Sequence, residues 1–357
     1  MPSDLIVSTP EGLYCPPGDF YIDAWRPVAR CVVTHAHADH ARRGCGAYLA
    51  HRDSAGTLRA RLGNDIALQT LAYGEAIDHR GVRLSLHPAG HVLGSAQVRL
   101  EHGGEVWVAS GDYKLDADGT CPPFEPLRCH TFITESTFAL PIYRWPAPAQ
   151  LSADINAWWQ ANAAVGRPSV VYAYAFGKAQ RILHGVDAGT GPIVVHGAVE
   201  SLNAVYRAAG VALPPTVRVQ DGPLSKADLA RALVVAPPSA AGSPWLRRFG
   251  AHSDAFASGW MQVRGARRRR GVDRGFVMSD HADWPGLQRA IAATGAEHVV
   301  VTHGQTATLV RWLQESGLNA RVFATEYGQE DDEMPAGTAS DAQDPPGPGA
   351  TPDGAAA

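Results

Sequence analysis

Four side chains that bind divalent metals crowd into six residues, His35-Ala-His37-Ala-Asp39-His40, directly after the apolar run Arg30-Cys-Val-Val-Thr34. Imidazole and carboxylate donors at this density suit zinc or a similar ion, and four of them exceed what one open site uses. The preceding run reads as a buried strand. Because a strand turns alternate residues to one side, His35 and His37 are expected to share one ion. Asp39 and His40, past the strand end, are then free to face a second.

Three more donors stand where such a pair of ions needs them. His91 lies in Pro88-Ala-Gly-His-Val-Leu-Gly-Ser95, with glycines on both sides that permit a tight loop. Asp112 closes the run ending at Ser110-Gly-Asp112, and His303 closes Val301-Thr-His-Gly304, both at strand ends. Singly each is an ordinary surface or core residue; together with the first cluster they make seven ligands. The remaining histidines, His281 apart, lack such a context.

The elements around these residues alternate. Val82, Leu84 and Leu86, and then Val106 and Val108, follow the two-residue period of half-buried strands. From Ser152, read as an N-cap, Ile155, Trp158, Trp159 and Asn162 recur at helical spacing. Strands at Ser169–Tyr174, Pro192–His196 and Ala232–Ala236 then alternate with helices from Lys178 and up to Ala209, as in a parallel α/β unit. Gly275–Met278, a helix from Trp284, His298–Thr302 and a helix with Leu309 and Leu313 are expected to return to the first pattern. One α/β unit therefore reads as inserted within another.

The 357 residues, 45% hydrophobic and 18% charged, allow real cores. No apolar run is long enough to predict a membrane span. The five cysteines form no C-x-x-C pair and the N-terminus has no signal-peptide character, which predicts a cytoplasmic, reduced protein. The segment after Gly328 carries seven acids and no base; without it the formal charge moves from −4 to +3. That tail, residues 329–357, is expected to be disordered. Arg264, Arg267, Arg268, Arg269, Arg270 and Arg274 crowd into eleven residues, either as a solvated face or as a strip for a polyanion.

H-x-H-x-D-H, the later G-H, the G-D and the final T-H-G resemble the metallo-β-lactamase superfamily. Its β-CASP branch of nucleic-acid hydrolases is the best match. Ile133-Thr-Glu135-Ser-Thr137 resembles that branch's acidic motif, Ser279-Asp-His281-Ala-Asp283 its second histidine motif, and Ala257-Ser258-Gly259-Trp-Met261 its serine-glycine turn. Tyr14–Gly18, Gly177-Lys-Ala-Gln-Arg181, Ala236–Ser239 and Ser279–Trp284 are similar to the bacterial DNA-ligase-associated exonuclease family. The likeness covers roughly residues 5 to 326.

The resemblance implies an αββα sandwich with an inserted β-CASP α/β domain. The metal domain would comprise residues 1–140 and 275–328, the insert residues 141–274. It implies two divalent ions, zinc first and manganese as the alternative. One would sit on His35, His37, His91 and Asp112, the other on Asp39, His40, Asp112 and His303, with Asp112 bridging. Asp23 would orient a ligand. Asp39 and Asp112 would thus serve catalysis as well as metal binding. His281 would be the proton donor to the leaving group, held by Glu135. Lys178, Ser258 and Arg267 to Arg270 would meet nucleic acid, Lys178 from the first turn of a helix. The function implied is a DNA exonuclease in end processing and repair, working with an ATP-dependent DNA ligase and a helicase. His303 leans toward an RNA-processing member, the runner-up. A small-molecule metallo-hydrolase ranks lower, since it needs no inserted domain in the 191 positions between Asp112 and His303.

Overall fold

The computed structural model describes residues 4–219 and 224–327. The acidic tail at 329–357 lies outside them. Six strands, β1 (Val7–Ser8), β2 (Leu13–Cys15), β3 (Phe20–Ile22), β4 (Arg30–Val32), β5 (Ala47–His51) and β6 (Leu68–Leu71), pair in chain order, with helix α1 (Ala55–Leu62) between the last two. Five more, β7 (Ala76–His79), β8 (Val82–Pro88), β9 (Ala96–His102), β10 (Glu105–Ala109) and β11 (Thr131–Ser136), begin a second sheet.

Helix α2 (Pro148–Ala164) opens a third unit, with β12 (Ser169–Tyr172), α3 (Lys178–Gly185), β13 (Ile193–Val195), α4 (Gly197–Ala208), α5 (Lys226–Ala230), β14 (Leu233–Ala236), β15 (Ser253–Ser258), α6 (Arg264–Arg270) and β16 (Arg274–Val277). Its five strands are all parallel, in the order β13-β14-β12-β15-β16. After α7 (Trp284–Thr294), β17 (His298–Gly304) returns to the second sheet beside β11. Helix α8 (Thr306–Glu315) and β18 (Asn319–Val322) complete it, giving β18-β17-β11-β10-β9-β8-β7. No helix among the described residues is long and apolar enough to cross a membrane.

Period-two alternation explains how the first two sheets pack. Ala109, Ile133 and Val300 turn into a core shared with Phe20, Ile22 and Val32 of the first sheet. Their neighbours Val108, Phe132, Val299 and Val301 turn the other way, onto Leu287 and Ile291 of α7 and Leu309 and Leu313 of α8. A strand buried on both faces must read as continuous Val and Ile, as His298-Val-Val-Val-Thr302 does.

Three expectations change. β4 ends at Val32, so His35 and His37 lie in the loop beyond it, and strand alternation is not what aligns them. α2 starts at Pro148, four residues before Ser152, because proline at the first helical turn brings its φ already set and needs no amide partner. Gly275–Met278 does not return to the first pattern. As β16 it pairs with β15, and Phe276 packs edge-on against Trp158 of α2, ring centroids 5.6 Å apart. The boundary drawn at 274/275 therefore falls inside the third sheet. A short apolar strand announces burial but not which sheet edge it joins.

Candidate metal centre

The site gathers at the carboxyl ends of β4, β10, β11 and β17, where the backbone leaves each sheet. Two glycines make the approach possible. Gly111, φ 56°, turns the chain between β10 and Asp112, and a Cβ there would lie 2.6 Å from the Thr34 hydroxyl. Gly90, φ 74°, precedes His91, and a Cβ would lie 2.2 Å from the Lys114 carbonyl oxygen. Asp23 adopts φ 46°, a region costly for a side chain with a Cβ. Its carboxylate compensates by accepting from the Thr34 amide at 2.7 Å and the Thr34 hydroxyl at 2.5 Å, and by holding His40 Nδ1 at 2.7 Å.

The imidazoles share one logic. One nitrogen is held by an oxygen, which aims the other inward. His35 Nδ1 meets the Thr34 hydroxyl at 3.0 Å, His91 Nδ1 the Asp280 carbonyl at 2.9 Å, and His303 Nδ1 the Thr302 hydroxyl at 3.3 Å. His37 is reversed: Nε2 lies 3.4 Å from the Phe176 carbonyl and Nδ1 faces His91 Nε2 at 3.0 Å. Asp112 stands between two groups. Its Oδ2 is 3.5 Å from His35 Nε2, 3.4 Å from His40 Nε2 and 3.8 Å from His91 Nε2, while Oδ1 is 3.3 Å from His303 Nε2.

Donor atoms of His35, His37, His91 and Asp112 lie within 4.8 Å of one another, as do those of His40, Asp112 and His303. Asp39 stands at the rim, its Oδ2 3.6 Å from His40 Nε2. The chemistry of this set fits divalent cations. His35 Nε2, His40 Nε2 and Asp112 Oδ1 are buried without a hydrogen-bond partner, a cost of roughly 1–3 kcal/mol each that an ion would remove. Burial, reinforced by neighbouring histidines, holds His35 and His91 well below the usual histidine range, so their lone pairs stay available. Burial opposes ionisation of Asp112, yet His40 and His281 keep its carboxyl well below the usual range.

A second pair adjoins the cluster. His281 Nδ1 lies 2.8 Å from Glu135 Oε2 and 4.0 Å from Asp112 Oδ2. Glu135 is itself fixed, accepting from the Tyr113 amide at 2.9 Å and the Thr137 hydroxyl at 2.5 Å. Burial works against a charged His281, but Glu135 and then Asp112 outweigh it and raise its pKa.

The residues expected to meet nucleic acid are placed differently. Lys178, only 1% exposed, sits over the Tyr174 ring at 4.3 Å and acts electrostatically on His281, so it lines the interior rather than the surface. Ser258 is also buried; its hydroxyl accepts from the Trp260 amide at 3.3 Å and caps the turn that follows β15. Arg267 donates to the Met261 carbonyl at 2.8 Å and Arg270 lies over the Phe256 ring, while Arg268 and Arg269 are exposed. None of these joins the metal cluster.

Several contributors carried no such signal. Tyr327 stacks on His40 at 4.4 Å and 12° and meets His303 edge-on, yet belongs to no motif. Arg181 of α3 is buried and donates to the carbonyls of Gly90 (3.1 Å), His91 (2.5 Å) and Ser279 (3.3 Å), pairing also with Asp118 and Asp280. One guanidinium thereby ties the His91 loop to the His281 loop. Arg181 closes the Gly177-Lys-Ala-Gln-Arg181 run, a resemblance that marks the residue but not this bridging role.

No family model matches the chain. A probable DNA ligase of Opitutus terrae is 33% identical over 326 residues, 90% of this chain but 31% of that protein. An RNase J-like protein of Methanocaldococcus jannaschii is 26% identical over 185 residues, 44% of this chain and 43% of its own. Endoribonuclease YSH1 of Saccharomyces cerevisiae is 34% identical over 73 residues, 20% of this chain and 9% of its own. The chain spans less than half the length of each of these relatives. A solved structure of a protein of unknown function from Enterococcus faecalis V583 overlays with a TM-score of 0.56 at 12% identity, covering 84% of this chain and 80% of that one, which is a likeness of fold.

Proposed function

The chain belongs to the β-CASP branch of the metallo-β-lactamase superfamily, and from that premise we propose that it is a two-metal phosphodiesterase hydrolysing nucleic acid. In this reading the first two sheets and their outer helices form the αββα sandwich, and the five-stranded parallel unit is the β-CASP insert. The observation that carries the reading is Asp112, whose carboxylate lies among both groups of histidines, Oδ2 beside His35, His91 and His40 and Oδ1 beside His303. His35, His37, His91 and Asp112 would hold one ion; Asp112, His40 and His303, with Asp39 at the rim, would hold the other. Zinc suits the imidazole-rich donors. Such ions would supply an activated water and positive charge against the phosphoryl oxygens.

The protein's own groups do the rest. His281 carries its proton toward the leaving oxygen, with Nδ1 held by Glu135 so that Nε2 is the donating atom. Asp23 and Thr34 keep His40 and His35 in orientation, and Arg181 keeps the His91 and His281 loops in register. The five cysteines are all unpaired, in keeping with a reducing, cytoplasmic setting.

DNA ends are the substrate we favour, because the relative matching 90% of the chain is described as a probable DNA ligase. Because that relative is described as a probable DNA ligase and this chain matches only 31% of it, cooperation with a DNA ligase is the partnership we favour. RNA is the second reading, favoured by His303 and by the RNase J-like and endoribonuclease relatives. Digesting end-labelled single- and double-stranded DNA and RNA in parallel, with zinc or manganese, separates them. Shortening of DNA from one end at a rate well above that of RNA is expected; degradation of RNA alone would reverse the assignment.

A further inference from the structure

Part of the exposed edge of the metal centre belongs to its first ligand loop. His35 and His40 are buried, His37 and Asp39 are half-buried, and Ala38 between them is exposed. Beyond this loop the Ala41 amide donates to the His37 carbonyl at 2.9 Å, a tight turn that delivers Arg42 and Arg43 to the surface. The Tyr48 hydroxyl fixes their backbone, donating to the Arg42 carbonyl at 2.7 Å and accepting from the Cys45 amide at 3.0 Å.

Helix α1 brings two further arginines alongside. Arg61 Nε donates to the carbonyl of Ala36, the residue between His35 and His37, at 2.7 Å. Arg43 Nη2 donates in turn to the Arg61 carbonyl at 3.1 Å, while Arg59 stands exposed two residues earlier on the same helix. Residues 41–63 carry five arginines against one acid, Asp53. Among the described residues no ion pair forms at Arg42, Arg43 or Arg59. Their charge is therefore not neutralised locally, and Arg42 and Arg43 lie two and three residues from His40. By contrast, α6 is anchored to the third unit, through Met261 and Phe256.

We infer that Arg42, Arg43 and Arg59 form a strip that tracks the phosphate backbone of the strand whose scissile phosphate lies at the metal centre. The inference rests on the hydrolytic reading above. Guanidinium groups match phosphate oxygens in geometry and remain charged at every relevant pH. Contacts of this kind position a strand without reading its bases. Arg61 acts differently: spanning to Ala36, it fixes the strip relative to the ligand loop. The fifteen residues between Arg43 and Arg59 hide the strip from any search for charge runs.

The test uses the full-length, metal-loaded protein and a labelled single strand with phosphorothioate linkages, which slow cleavage. Binding is titrated against salt for the unaltered protein and for Arg42→Ala/Arg43→Ala/Arg59→Ala. A charge-matched control, Arg289→Ala/Arg311→Ala/Arg321→Ala, removes exposed arginines that are paired with acids elsewhere. The strip variant should bind at least ~10-fold more weakly near 0.1 M salt. Its slope of log affinity against log salt should flatten by about 2, from roughly 0.7 per phosphate contact on single strands. The control should keep the original slope. An unchanged slope in the strip variant, or an equal loss in the control, would overturn the strip alone. Absence of salt-dependent binding by the unaltered protein would overturn the hydrolytic reading and the strip with it.

Discussion

At the metal cluster, seven donors come from four separate segments of chain, and four of them are almost wholly buried, with a second atom of most histidines fixed by an oxygen. At α6, four consecutive arginines sit on seven residues of exposed helix, held by one carbonyl and one aromatic ring. The first arrangement is over-determined: Asp23, Thr34, Asp280 and Arg181 each constrain a ligand loop, and the buried histidines cannot move without breaking a buried bond. The second is free to adapt, as a surface meeting a flexible polyanion can be. Density of donors in a motif therefore tells more about a site when the motif lies at strand ends than when it lies on a helix surface.

The comparison breaks first at Asp112. Asp112→Asn keeps the shape but removes the charge facing both histidine groups, so cleavage should fall to background and metal content should drop. Turnover near that of the unaltered protein would remove Asp112 from the site. His281→Ala comes next: turnover should fall on the order of 10²- to 10⁴-fold, as expected for a missing general acid, while metal is retained. A substrate with a better leaving group should recover part of the loss, and equal loss of metal would make His281 a ligand instead.

Chelation should expose the orphaned atoms of the cluster. An ion present at ~100 times its dissociation constant contributes about 2.7 kcal/mol, so removing it should lower the thermal midpoint by several degrees. A midpoint indifferent to chelator and to added zinc would mean that the cluster holds no ion. The smallest effect belongs to the third unit. Ser258→Ala removes a cap and should cost about 1 kcal/mol of stability while leaving the salt dependence of nucleic-acid binding intact. A flattened slope would return Ser258 to the nucleic-acid surface.

Much of the site could be read from the chain because its donors are rare residue types at marked positions. The H-x-H-x-D-H run, the glycines around His91 and the strand ends before Asp112 and His303 all carry local signals. Tyr327 carries none, and the run that ends at Arg181 does not announce its part, since both roles come from tertiary approach: one ring arriving over His40, one guanidinium bridging two distant loops. Lys178 shows the limit from the other side. Its place at the start of α3 was legible, but its burial over Tyr174 depends on how α3 packs, which the sequence does not state. The same holds for β16, whose apolar residues foretold a strand but not the sheet it joins.

The central claim is that Asp112 is shared by two ions, and counting metal tests it most directly. The full-length protein, purified without chelator and equilibrated with zinc, should hold close to two ions per chain by elemental analysis, and Asp112→Asn should hold clearly fewer. A single ion per chain, unchanged in that variant, would contradict the shared carboxylate and leave the two histidine groups without the link on which the account depends.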